Sequence, residues 1–176
     1  MSNYSSQNRP SHGNRPLGNI SKSGEDQVID ADKLQKIITA GDAENMVKEA
    51  DRIGKLLTQG SESDKLSTSQ IRSIFGEVRK IQGQIAIPEH TGDPENIRRI
   101  KENAFRRLYL LKPKMKYRVA KEKEKPGIKN MVKVLDPALD LVFASEITKE
   151  EKERRFNYFV EFFEAILAYH RVYGGK

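Results

Sequence analysis

The sequence places a row of cations directly after an apolar stretch. Residues 108–127 read LYLLKPKMKYRVAKEKEKPG, with basic side chains at every second position from Lys112 to Arg118. Residues 98–129 carry thirteen basic side chains against three acidic ones, a net charge of +10 in a chain whose total is +7. Because the charge is concentrated in one segment, we expect either a surface that binds an anion, most often nucleic-acid phosphates, or a solvated helix end.

A second basic surface is predicted on the helix that covers residues 69–86. At 100° per residue, Arg72 and Arg79 share one flank of this helix with Gly76 and Gly83. Two arginines beside two glycines form a strip that a phosphate backbone can approach closely, as a nucleic-acid contact requires. The alternative is that the glycines only permit close helix packing and the arginines are solvated.

Residue types suited to catalysis are scarce. The histidines His12, His90 and His170 have no metal-ligating partner at helical spacing, and without cysteine the chain has neither disulfides nor thiolate sites. Glycine-rich phosphate loops and the common hydrolase and metalloprotease motifs are missing from the sequence. Glu161 and Glu164 lie three residues apart, where a solvated helix face explains them better than a catalytic pair. We therefore expect a protein that is not an enzyme and has no metal or cofactor.

The composition also bears on location. The lack of cysteine fits a reducing compartment. No run approaches the roughly 20 apolar residues of a membrane span, and the N-terminus lacks the apolar segment of a signal peptide. We expect a soluble cytoplasmic protein with no membrane partner.

Two regions differ in composition. Residues 1–24 are rich in Ser, Asn, Gly and Pro, and their only charged residues are basic. Such a segment buries too little apolar surface to offset the entropy of ordering, so we expect a disordered tail, with an auxiliary nucleic-acid contact as the alternative. Residues 25–176 are long enough for one domain with its own core.

The elements that must position the basic side chains are predicted to be helices. Apolar residues recur at a spacing of three to four, no long stretch alternates with period two, and no Asn-Gly or Asp-Gly hairpin turn is present. The sequence therefore predicts an all-α, compact single-domain bundle of about six or seven helices. Capping signals predict helix starts at Asp42, at a capping box from Ser67 to Gln70, at Asp93-Pro94, and at a second capping box from Thr148 to Glu151.

Glycine and proline predict where helices end. Gly41 should end a short first helix, and Pro113 should break or kink the helix that enters the basic segment. A further segment should weaken around residues 125–127. Asp136-Pro137 should separate a short helix from a new one, because proline is favoured at the first helical position.

The last predicted helix is apolar around more than half of its circumference. One stripe begins at Phe156 and reaches His170, and a second lies beside it. So wide an apolar arc fits either the central helix of the domain or an interface with another protein, and both can hold. With the outward-facing Leu110, the candidate interface residues are Tyr158, Phe162, Tyr169 and Tyr173.

Three segments of the chain resemble a known family. They read LSTSQIRSIFGEVRKIQ (66–82), LYLLKPKMKYRVAKE (108–122) and FNYFVEFFEAILAYHRVYGG (156–175). In order and spacing they are similar to the signature blocks of the small helical subunit of the type III-A CRISPR effector, the Csm complex, and the resemblance runs from about residue 28 to the end. One departure is clear: Lys116 and Arg118 stand where the family usually has small residues.

The resemblance implies a non-catalytic subunit of a prokaryotic antiviral ribonucleoprotein. In that family, copies of the subunit stack into a minor filament beside the backbone subunits that hold the guide RNA. They lie along the guide–target RNA duplex and adjoin the large polymerase-like subunit. The resemblance therefore implies guide and target RNA, those subunits and further copies of this chain as partners.

RNA contacts are expected from two sources. The matching motifs imply contacts at Arg72, Lys112 and Lys114. Such contacts should tolerate any sequence, because they bind phosphates rather than bases. The position of the charge alone adds Arg79, Arg99, Arg106, Lys116, Arg118 and Lys121.

Two other classes of protein remain open. A free-standing DNA-binding regulator would need a short turn before its recognition helix, whereas residues 88–93 form a longer loop before the basic helix. A protein-only adaptor would use its basic face merely for solubility.

Overall fold

The computed structural model describes residues 28–123 and 125–175, so the predicted tail, residues 1–24, lies outside the described residues. These residues form seven α-helices and no strand, which confirms the all-α prediction. The helices are α1 (Ala31–Gln35), which continues as a π-helical turn (Lys36–Ala40), α2 (Ala43–Leu56), α3 (Thr68–Ile85), α4 (Pro94–Tyr109), α5 (Leu111–Lys121), α6 (Pro126–Val142) and α7 (Lys149–Val172).

The predicted helix starts are confirmed where a side chain caps the backbone. Asp42 accepts from the amide of Asn45, and Asp93 accepts from two amides in the first turn of α4. Ser67 and Gln70 form the complete capping box, in which each side chain accepts from the other residue's backbone amide. These bonds satisfy amide groups that the helix itself leaves without partners.

The second capping box forms only in part. Thr148 accepts from the amide of Glu151, as predicted. The Glu151 carboxylate, however, binds Arg154 and Arg155 at 2.5 and 2.7 Å instead of returning to the cap. Two arginines one turn away compete for this carboxylate more strongly than a neutral amide does, because both hydrogen bonds are charge-assisted.

The two internal prolines behave differently. Pro113 lies in the first turn of α5, where its missing N–H has no helical partner to lose, and α4 accordingly ends at Tyr109. The prediction that Asp136-Pro137 starts a new helix is wrong, because α6 continues through Pro137 without a break. Val134 and Ala138 on either side are fully buried, and this packing keeps the segment helical despite the lost hydrogen bond.

Helix α7 is the centre of the domain. It packs against α2, α3, α6 and the π-helical turn, and its four phenylalanines are all fully buried. On the second stripe, Tyr158 covers Gly41, where an added Cβ would lie 2.5 Å from the tyrosine ring. A Cβ added at Gly54 would lie 2.6 Å from Cβ of Tyr169. The central-helix alternative therefore accounts for the first stripe and for the part of the second stripe that is buried, whereas Tyr173 is exposed. Phe162, predicted to lie at a protein interface, is part of the core because its ring faces neighbouring helices.

The end of the chain closes over α7. His170 is fully buried, and its Nε2 donates to the carbonyl of Leu66 at 2.8 Å. Thr68 donates to the carbonyl of Gly175 at 2.9 Å, and a Cβ at position 175 would lie 2.0 Å from the imidazole. Only glycine fits this close approach to the histidine ring.

Candidate nucleic-acid interface

The basic residues of α5 divide between two faces of the helix. Lys112 and Lys116, one turn apart, point towards α6 and lie within 3.4 Å of the Asp136 carboxylate. Lys114 and Arg118, also one turn apart, line a cleft between α5 and α3. Basic residues that occupy every second position of the sequence therefore lie on different faces of the helix, because positions i and i+4 share a face while i and i+2 do not.

On the α6 side, the positive charge is matched within the fold. Lys112 binds both Asp136 and Asp140. The side chains of Lys112 and Asp136 are each about one-fifth exposed. Burial lowers the pKa of Lys112, but its hydrogen bond to Asp140 and the charges of both aspartates outweigh this effect and raise the pKa. The lysine therefore stays charged and stabilises the contact between α5 and α6.

The cleft between α3 and α5 has a volume of about 550 Å³ and is lined by both hydroxyls and cations. Ser69 and Ser73 of α3 face Arg118 and Lys121 of α5 across it. Hydroxyls and cationic side chains are the groups that most often contact nucleic-acid phosphates. Its chemistry therefore suits an extended anion.

Arg118 holds the two walls of this cleft together. Its guanidinium donates to the Ser73 hydroxyl at 3.1 Å and to the Gln70 carbonyl at 3.4 Å. The side chain is half-buried, so its position is fixed more firmly than that of a fully solvated arginine. Sequence reasoning gave Arg118 a role from charge position alone, and the structure adds that it connects the two helices.

Glu77 limits the positive potential at the other end of the cleft. Arg107 donates to its carboxylate at 2.8 Å, and Lys114 lies 3.9 Å away. The hydrogen bond from Arg107, together with the two cations, holds the pKa of Glu77 below its usual range even though partial burial raises it. Lys114 is more than half exposed and keeps its ammonium available to solvent.

The strip of arginines and glycines on α3 is open to solvent. An added Cβ at Gly76 or at Gly83 would meet nothing within 4 Å, so neither glycine serves helix packing. Arg72 and Arg79 are exposed beside them, and Arg72 forms no hydrogen bond or ion pair with any described residue. The packing explanation of these glycines is therefore wrong, and the strip is a smooth cationic surface.

The two basic candidates on α4 lie apart from this surface. Arg99 is exposed and donates to Asn96 of its own helix at 3.1 Å. Arg106 borders a different groove, between α4 and the start of α7, together with the exposed Leu110. The structure thus brings Lys114, Arg118 and Lys121 of α5 to the cleft, whereas Arg72 and Arg79 lie on α3 outside its lining and the α4 candidates lie apart.

The candidate interface residues on α7 are largely engaged within the chain. Tyr158 and Tyr169 are half-buried, and Tyr173, which is more exposed, donates to Asp51 at 2.5 Å. The hydrogen bond to that carboxylate raises the pKa of Tyr173. Leu110 and Tyr173 are the exposed members of the set, and Leu110, at 45%, is the more exposed of the two.

Sequence reasoning missed several residues of the cleft. Ser69, Gln70 and Ser73 were considered only as helix-capping or helical residues, yet they form the α3 wall. Tyr117 also lines the cleft and is 70% exposed, which is unusual for so large a ring. Its position between Lys116 and Arg118 was the available signal, because an aromatic within a basic run suggests base stacking.

Two classes of site are not found in the part of the chain that the structure describes. No group of histidine, cysteine or carboxylate side chains there is placed to hold a metal ion. No helix there is long and apolar enough to span a membrane.

Comparison with protein families identifies a family for most of the chain. The family model described as Csm2 Type III-A matches residues 40–176. Neither the curated proteins nor the solved structures contain a match to the chain.

Proposed function

Because the chain belongs to the Csm2 family of small subunits of the type III-A CRISPR complex, we propose that it serves there as a non-catalytic subunit that binds RNA phosphates. The observation that carries this proposal is the cleft between α3 and α5, which is lined by hydroxyls and cations, and α3 also presents the open strip of Arg72 and Arg79. Its expected contacts are Arg72, Arg79, Lys114, Arg118 and Lys121.

The chemistry of this surface favours backbone contact over base reading. Arg72 and Lys114 present exposed charges, while Ser69 and Ser73 add neutral donors. The open glycines on the same flank as the arginines allow a strand to approach the helix backbone. Such a surface is blind to sequence, as required of a subunit that must accept any guide–target duplex.

The division of α5 supports a narrower set of contacts than the sequence suggested. Lys112 and Lys116 form ion pairs with Asp136 on the α6 side of the helix, so they add little positive charge to the cleft. We therefore leave them out of the expected RNA contacts. We expect their main contribution to be the packing of α5 on α6. We further propose that copies of the chain stack with one another and adjoin the backbone and large subunits.

The proposal is tested by measuring RNA affinity against salt. Arg72→Ala with Lys114→Ala should weaken binding of labelled RNA of any sequence and make the log–log salt slope shallower by about 1.4, since each phosphate contact on a single strand contributes about 0.7. The matched control is Lys36→Ala with Lys48→Ala, the same loss of charge outside α3 and α5. Both side chains are exposed.

The alternatives give different results. Equal weakening by the control pair would show that only net charge matters and that the surface is not a site. Binding to one duplex DNA sequence in preference to RNA would favour the DNA-binding regulator. Failure to bind any nucleic acid would favour the protein-only adaptor.

A further inference from the structure

A second groove lies between α4 and the start of α7, away from the cleft that α3 and α5 form. It has a volume of about 680 Å³, and its apolar wall consists of Phe105, Tyr109 and Leu110. Tyr109 and Leu110 are 49% and 45% exposed. Tyr109 stacks on Phe143 with ring centroids 4.0 Å apart and planes inclined by 17°, so one face of its ring is fixed while the rest is open. The wall is therefore rigid and apolar, yet uncovered.

The rim of this groove is strongly basic. Its charged residues are five cations and a single carboxylate, Glu102, which lies 3.8 Å from Arg98. Lys101 is mostly buried, and its ammonium lies 3.6 Å from Glu89. The remaining cations of the rim are Arg106, Lys149 and Lys152.

We propose that this groove binds an acidic segment of a partner protein that carries leucine or aromatic anchors. An apolar wall inside a rim of one charge requires an occupant with apolar side chains and the opposite charge. The concave shape fits a helix or an extended peptide better than a flat surface. The inference goes beyond RNA binding and does not depend on it.

The lining distinguishes this groove from the RNA surface. The cleft between α3 and α5 offers Ser69, Gln70 and Ser73 for polar contact, whereas the groove on α4 has aliphatic and aromatic side chains in the corresponding role. Contact with an exposed leucine does not stabilise a bound phosphate, but it does stabilise an apolar side chain that becomes buried against it. The chain's own first 24 residues are an unsuitable occupant, because their charged residues are all basic.

The experiment uses the full chain and two fluorescein-labelled helical peptides. One carries leucines on one face and glutamates on the other, and its counterpart has glutamine in place of every glutamate. At low salt the acidic peptide should bind about tenfold more tightly than the glutamine peptide. Leu110→Ser should weaken binding of the acidic peptide by about tenfold or more, because the substitution removes the apolar contact that a leucine side chain makes.

A matched variant and a competitor complete the design. Val47 on α2 is 51% exposed and lies outside the groove, so Val47→Ser should leave the affinity for the peptide within about twofold of wild type. Single-stranded RNA that saturates the chain should not displace the peptide. Thermal melting of both variants should match the wild type, since both side chains are on the surface.

Several outcomes would overturn the proposal. They are the absence of saturable binding up to about 1 mM peptide, equal affinity for the two peptides, and equal weakening by Leu110→Ser and Val47→Ser. If Leu110→Ser instead weakens RNA and the peptide alike, the groove belongs to the RNA surface. Self-association that Leu110→Ser abolishes and Val47→Ser leaves intact would assign the groove to a second copy of the chain.

Discussion

Lys112 and Asp136 form an ion pair between α5 and α6. The ammonium lies 3.4 Å from Oδ1 of the carboxylate, and the two side chains are 21% and 22% exposed. That oxygen is buried without a hydrogen bond, so nearby charge is what compensates it. Lys114, two positions away, lies 3.9 Å from Glu77 and is more than half exposed. The two lysines should therefore differ in their effect on stability.

Lys112→Ala should lower the free energy of unfolding by about 1–3 kcal/mol, because it leaves the Asp136 carboxylate partly buried with only Lys116 nearby. Lys114→Ala should change it by less than about 0.5 kcal/mol, as is usual for exposed ion pairs. Thermal melting measures both changes, because a loss of 1 kcal/mol lowers the melting temperature of a chain of this size by about 2–4 °C. Equal melting temperatures for the two variants would contradict the assignment of Lys112 to the fold.

Two glycines inside helices should respond oppositely to alanine. At Gly54, an added Cβ would lie 2.6 Å from Cβ of Tyr169 and 2.8 Å from the backbone nitrogen of His170, so Gly54→Ala should cost about 1–3 kcal/mol. At Gly76 the space is open, so Gly76→Ala should stabilise the helix by about 0.5–1 kcal/mol. Denaturant unfolding of the two variants tests the sign of each change. Two changes of the same sign would contradict these surroundings.

The open glycines also connect stability to RNA binding. Gly76→Ala with Gly83→Ala should stabilise the fold but weaken RNA binding by about tenfold, which corresponds to one lost charge-assisted contact of about 1.4 kcal/mol. Gly92→Ala, in the loop before α4, is the control, because its Cβ would make only an ordinary contact with Ile97. Greater stability with unchanged affinity would mean that no strand approaches α3 at this strip.

Burial of His170 should make stability depend on pH. Burial lowers the pKa of this imidazole below its ordinary 6.5, and its hydrogen bond to Leu66 only partly opposes the shift. The unfolded chain then binds a proton that the folded chain does not, so stability should fall as pH drops below about 6.5, by up to about 1.4 kcal/mol per pH unit. Melting temperatures between pH 7 and 5 measure this loss.

The matched variants for this effect are His170→Gln and His90→Gln. Glutamine at 170 can still donate to the Leu66 carbonyl but does not titrate, so its profile should be flatter than that of the wild type over the same range. His90→Gln replaces an exposed histidine and serves as the comparison. Identical slopes for all three proteins would show that His170 is not the source of the pH dependence of stability.

How much the sequence predicted depends on the range of the interactions involved. The caps at Asp42, Ser67 and Asp93 were predictable because side chain and backbone lie within three residues of each other. The continuation of α6 through Pro137 was not predictable, because it depends on burial against other helices. Local signals compete with tertiary packing, and at Pro137 packing prevails.

The candidate site shows the same division. The cationic residues of α5 could be recognised from composition, but their allocation to α3 or α6 required the aspartates of α6 to be placed. The walls of the cleft join residues 69–77 to residues 111–122, a separation across which no periodic pattern extends. Gly76 and Gly83 were identified correctly, yet only the surrounding space decided between packing and exposure.

The two faces of α5 make binding strength and folding separately adjustable. Substitutions at Lys114 and Lys121 change charge where little is packed, whereas substitutions at Lys112 and Lys116 act on Asp136. Charge lost from one face can therefore be restored on it without disturbing the other. A selection for tighter RNA capture should enrich changes on the α3 side of the helix, and a selection for heat resistance should enrich changes on the α6 side.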